Sequence, residues 1–78
     1  MDESEFVARV VGRLRKLREE QGISQAELSR RTGLSRSGIR HMEDGDVTPT
    51  LQFLLRLSSE LKAKLSDVIR DVEGESTG

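Results

Sequence analysis

Apolar side chains recur along this chain at steps of three and four, a spacing that predicts helices throughout. Phe6, Val7, Val10, Val11, Leu14 and Leu17 line one stripe of a helix from about Glu3 to Gln21, which Gly22 ends. Ser24-Gln25-Ala26-Glu27 has the S-x-x-E pattern of a capping box, so a second helix should start there and run to about Thr32. Gly33 supplies a reversal within very few residues, because glycine takes positive φ without steric cost. Leu34 should enter the core, and Ser35 should cap a third helix from Arg36 to about Glu43 with Ile39 and Met42 on its buried side. Gly45 and Pro49 bracket a loop. Thr50 can cap a fourth helix, along which Leu51, Leu54, Leu55, Ser58 and Leu61 keep the period. Leu61, Leu65, Val68, Ile69 and Val72 continue a helical stripe, and the small polar tail from Glu73 to Gly78 is expected to be disordered. The expectation is one all-α domain over residues 1–72.

With 78 residues, 33% of them apolar and 3% aromatic, the core must be small and aliphatic. Self-association would help to stabilise it. No cysteine is present and there is a single histidine, so neither a disulfide framework nor a zinc cluster can be built. A reducing cytoplasm is compatible with this composition. Apolar runs are only two or three residues long and the chain opens with Asp2, Glu3 and Glu5, so neither a signal peptide nor a membrane span is expected.

The formal net charge is −1, but it is segregated. Residues 9–40 hold nine basic residues against three acidic ones, and residues 28–42 contain no acid at all. A basic face of this kind suits a polyanion, because a binding surface is a local property; its bland alternative is a solvated helix face.

The spacing around Gly33 has a further implication. Two helices that cross steeply over a short turn approach closely near the middle of the first, where Ser29 offers a small side chain. Leu28, Leu34, Ile39, Met42 and the methyl group of Thr32 can fix the crossing. That layout is a helix-turn-helix, whose second helix is shaped for the major groove of DNA.

From about Val10 to Ile69 the sequence resembles the phage-repressor and Cro type of helix-turn-helix domain, the XRE family. The stretch Leu17-Arg18-Glu19-Glu20-Gln21-Gly22-Ile23-Ser24-Gln25-Ala26-Glu27-Leu28, followed by Gly33, carries the resemblance. It implies a five-helix, lambda-repressor-like fold whose second and third helices form the motif. It also implies sequence-specific binding of double-stranded DNA, usually as a two-fold dimer and most often to repress transcription. Carried onto this chain, the base-reading positions are Arg36, Ser37 and His41, with Arg36 suited to donate two parallel hydrogen bonds to guanine. His41 could donate to guanine or to a phosphate. Gln25, at the N-terminus of the second helix, matches a phosphate-contacting position, and Arg40 suits the backbone as well. Arg18 and Glu43 match a structural ion pair between the first helix and the end of the third.

Three segments depart from the family pattern. Gly38 stands where a polar side chain is usual, either to admit the sugar–phosphate chain or at a plain cost in helix stability of about 1 kcal/mol. Asp44-Gly45-Asp46-Val47 replaces a loop that commonly holds Lys, Arg or Asn. Either that loop turns away and leaves Thr48 and Thr50 to touch phosphates, or affinity is low, or the partner is not DNA. Lys62-Ala63-Lys64 replaces the usual glycine and cap before the last helix, so a single bent helix is an alternative to two. Leu65, Ile69 and Val72 either complete the core of one protomer or form an exposed patch that pairs two; the dimer is the favoured expectation.

Catalysis finds no support: His41 is the lone imidazole, and neither a nucleophile elbow nor a phosphate-binding glycine loop is present. Glu43, Asp44 and Asp46 are too few for a calcium loop. No cofactor or small-molecule ligand is expected. Two functional classes remain, a transcriptional regulator acting on an inverted repeat, and an antitoxin or adaptor that uses the same fold to hold a toxin or other protein.

Overall fold

Four of the described helices begin where a side-chain oxygen can satisfy backbone N–H groups that have no partner inside the helix. The computed structural model describes residues 1–76 and contains helices and no strand within them: α1 Glu3–Glu20, α2 Gln25–Thr32, α3 Arg36–Glu43, α4 Leu51–Glu60 and α5 Leu65–Ser76. Asp2 accepts from the N–H of Glu5, Ser24 from Glu27, Ser35 from Gly38 and Thr50 from Phe53. The three hydroxyl caps follow the sequence expectation; the Asp2 cap adds to it.

Three of the helices stop in one way. At the end of α1 the N–H of Gly22 reaches the carbonyl of Glu19 and that of Ile23 reaches Arg18. The same paired bonds recur after α3, from Gly45 to Met42 and from Asp46 to His41, and after α4, from Lys62 to Ser59 and from Ala63 to Ser58. This closure requires one residue in left-handed backbone. Lys62 supplies it at φ 60°, the one described non-glycine residue with positive φ. The chain therefore breaks between α4 and α5 without the glycine that is usual there, and the single bent helix is ruled out.

The core is aliphatic. Val10, Val11 and Leu14 of α1, Ile23, Leu28, Ile39 and Met42, Leu57 and Leu61, and Leu65, Val68 and Val72 are all buried. α1 packs on α3 and α5, α2 on α3 and α4, and α4 on α5. Gln21 adds a polar tie, donating from Nε2 to the carbonyl of Leu61 at 2.8 Å.

Three expectations need correction. Helix α4 buries Leu57, Ser58 and Leu61 and leaves Leu51 and Leu55 at 64% and 50% exposure, so its inner face is rotated from the stripe expected. The five leucines fit more than one stripe, and packing on α2 and α5 selects between them. Leu65 and Val72, expected at a dimer interface, are 6% and 0% exposed, because α5 closes the core over α1 and α4. Only Ile69 of that trio stays half-buried. The tail expected from Glu73 is helical as far as Ser76, since Glu75 pairs with Arg9 and Arg13 of α1 and Asp71 also reaches Arg13. Residues 77 and 78 of that expected tail lie outside the described residues. No described helix is long and apolar enough to cross a membrane.

Candidate nucleic-acid interface

The reversal between α2 and α3 is held by local bonds. Gly33 adopts φ +77° and donates its N–H to Ser29. The Ser29 hydroxyl donates to the carbonyl of Leu34 at 2.5 Å, across the point where the helices come together. Thr32 donates to Leu28 and accepts from the N–H of Leu34. Ile39 and Met42 then anchor α3 from inside, at 0% and 3% exposure.

An eight-residue helix with those two anchors must present its remaining face outward. Arg36, Ser37 and Arg40 are exposed, and the His41 side chain is 44% exposed. Of the basic residues between positions 9 and 40, Arg9, Arg13, Arg15, Arg18, Arg30 and Arg31 all sit in ion pairs. Among the described residues, no carboxylate lies within ion-pairing distance of Arg36 or Arg40. Arg36 and Arg40 thus leave two uncompensated positive charges on the outward face of α3, although the chain as a whole is slightly acidic.

Gly38 is explained from within. A Cβ on it would stand 2.7 Å from the Ser35 hydroxyl, which is busy accepting the Gly38 N–H, and 3.6 Å from the ring of Phe53. Glycine here preserves the cap of α3 against the side of α4.

The far end of α3 is held by a polar cluster around Glu43, whose carboxylate is only 2% exposed. Arg18 donates to it twice, at 2.8 Å from both Nε and Nη2, and a third bond of 2.8 Å runs from Nη1 to the Ile23 carbonyl. Arg15 approaches to 3.9 Å. Burial works against the charged form of Glu43, but the bonds from Arg18 and Gln25 and the attraction of Arg18 and Arg15 outweigh it, holding the carboxyl below its ordinary range. Hydrogen bonding to Glu43 correspondingly raises the pKa of Arg18 against the effect of burial. The structural pair expected from the sequence is thus present.

Other expected contacts are placed less simply. Gln25 donates through Nε2 to Glu43 at 2.9 Å, so this side chain reaches inward from the start of α2. Thr48 is exposed, whereas the Thr50 oxygen caps α4 by accepting from Phe53, leaving its hydroxyl hydrogen to donate elsewhere. In the acidic loop, Asp46 turns back on α3, with Oδ2 3.1 Å from Nδ1 of His41. Sequence reasoning did not find this contact. Its signal was an acid five positions after the histidine, across a glycine able to close the helix end. Among the described residues, no group of three His, Asp or Glu side chains is placed to hold a metal ion.

A sequence model of the helix-turn-helix family matches residues 14–68, from the middle of α1 into α5. The chain is also similar to a protein of Pyrococcus abyssi (strain GE5 / Orsay) provisionally named an HTH-type transcriptional regulatory protein. The two are 34% identical over 84 aligned positions, which cover 92% of this chain and 27% of that relative. The chain thus spans about a quarter of the length of the curated relative that it matches. No solved structure matches significantly.

Proposed function

This chain belongs to the XRE family of helix-turn-helix domains, and from that premise we propose that it is a DNA-binding transcriptional regulator, acting in the cytoplasm, which lays α3 in the major groove. Arg36, Ser37 and His41 read base edges. Arg40, Thr48 and Thr50, with the N-terminal end of α2, grip phosphates and set the register. The relative's name supports regulation of transcription as the outcome, and repression or autoregulation is the form we propose for it.

The observation that carries this reading is the outward face of α3, where Arg36 and Arg40 have no acidic neighbour while the other arginines between residues 9 and 40 are paired. An inverted repeat bound by two protomers suits the domain, because half-sites one helical turn apart, about 34 Å, match a two-fold pair. With Leu65 and Val72 in the core, the pairing surface lies elsewhere. The antitoxin or adaptor alternative drew on the acidic loop, and the engagement of Asp46 with His41 removes half of that motive.

Selection of bound sequences from a random DNA pool tests the proposal, and an enriched inverted repeat is the expected result. Arg36→Ala should then relax the choice at one base pair in each half-site by about 1–3 kcal/mol. Arg40→Ala should weaken all sequences alike and flatten the plot of log K against log salt by about 0.9 per lost phosphate contact. Equal losses on selected and random DNA for Arg36→Ala would remove it as a reader.

A further inference from the structure

The loop after α3 does more than end the helix. Gly45 takes φ +81°, and this turns the chain so that the Asp46 N–H meets the carbonyl of His41 at 2.9 Å. The same turn lays the Asp46 carboxylate beside the imidazole, Oδ2 to Nδ1 at 3.1 Å. An ionised carboxylate can only accept a hydrogen bond, so Nδ1 is the nitrogen that carries hydrogen. In a neutral imidazole the other nitrogen is then bare, and Nε2 is an acceptor.

Bases differ in what they offer such an acceptor. In the major groove guanine presents N7 and O6, both acceptors, whereas adenine presents its N6 amine and cytosine its N4 amine. We propose, resting on the base-reading role given above to His41, that Asp46 is a positioning residue that fixes His41 as the Nδ1–H tautomer and so makes it select a base bearing an exocyclic amine. This reverses the simpler expectation that His41 donates to guanine or to a phosphate. It also gives the acid in the loop a use at the groove, where its charge alone would repel DNA.

Two readouts on the intact chain test it. Long-range proton–nitrogen correlation spectra of 15N-labelled protein report the tautomer and charge of the ring without DNA. The expected spectrum of the neutral ring shows hydrogen on Nδ1 and a bare Nε2. Asp46→Ala keeps the backbone N–H and should shift the ring toward hydrogen on Nε2. A wild-type ring with hydrogen on Nε2 would overturn the proposal, whatever DNA does.

Selection from a random pool, under conditions where those spectra show a neutral ring, supplies the second readout. In the enriched site, deleting the exocyclic amine at one base pair per half-site, as purine for adenine or 2-pyrimidinone for cytosine, should weaken binding by wild type. His41→Ala and Asp46→Ala should each lose that preference by about fivefold to tenfold, the worth of one hydrogen bond, and the double variant should lose no more than either. Wild type that binds every amine-deleted site as tightly as the intact one, or an Asp46→Ala variant that merely binds every sequence more tightly, would overturn it. The expected tautomer with no enriched sequence at all would sink the DNA-binding reading, and the base preference with it.

Discussion

Arg18 and Glu43 stand 25 residues apart in the chain, yet the guanidinium of one meets the carboxylate of the other in two bonds of equal length, 2.8 Å. The pair joins the last turn of α1 to the last residue of the helix that faces outward. A third helix shares it, because Gln25 donates to Oε1 of the same carboxylate.

Glu43→Ala should therefore be expensive. Removing one partner of a buried pair strands the other charge, and the loss expected is about 3–5 kcal/mol, read from urea or guanidinium unfolding. Replacing both partners together, as Arg18→Met with Glu43→Leu, should recover much of it, because no unpaired charge is then buried. A loss below about 1 kcal/mol for Glu43→Ala would show that the carboxylate is better solvated than its burial implies.

Acid should erase the same contribution. The folded chain holds the Glu43 carboxyl below its ordinary value of 4.5, so as pH falls the unfolded chain takes up the proton first. Stability from this group is fully present above the unfolded value and is lost as pH drops through the lower folded one. Unfolding midpoints of wild type and Glu43→Gln should accordingly converge as pH falls from about 6 toward 3. A gap that stays constant over that range would contradict the pairing.

Lys62 holds a backbone conformation that costs a side chain about 1–2 kcal/mol, and glycine gives back part of that gain through the freedom of the unfolded chain. Lys62→Gly should stabilise the domain by about 0.5–1 kcal/mol, seen as a raised unfolding midpoint. A destabilised variant would mean that the lysine side chain contributes something the helix closure does not require.

The rotation of α4 can be checked with two leucines two positions apart. Leu57→Ala should cost about 2–5 kcal/mol, since the side chain is 1% exposed, while Leu55→Ala should stay within about 0.5 kcal/mol of wild type. Comparable losses at both positions would restore the stripe that the sequence suggested.

That contrast also shows what a single sequence can disclose. Ser24, Ser35 and Thr50 were legible as helix starts because a cap acts within three residues, and each accepts the bond that its position implies. The outward placement of Arg36, Ser37 and Arg40 was legible for a similar reason, since Ile39 and Met42 leave an eight-residue helix one way to face. The face of α4 was not, because leucine at 51, 54, 55, 57 and 61 satisfies two stripes and only the neighbouring helices choose. The role of Leu65 and Val72 escaped likewise, because periodicity marks an apolar face without saying what covers it. The inward reach of Gln25 was not legible, because its partner depends on how two helix ends meet in space, whereas Asp46 left a local signal five positions past His41 that went unread.

The carboxylate of Glu43 works as a keystone, touched from α1 by Arg15 and Arg18 and from α2 by Gln25 while belonging to α3. Its removal should disturb how α2 and α3 meet as well as the resistance of the whole to unfolding. Variants at this one position should for that reason never separate the two qualities, and a search for hardier forms of the domain would screen its grip on a partner at the same time.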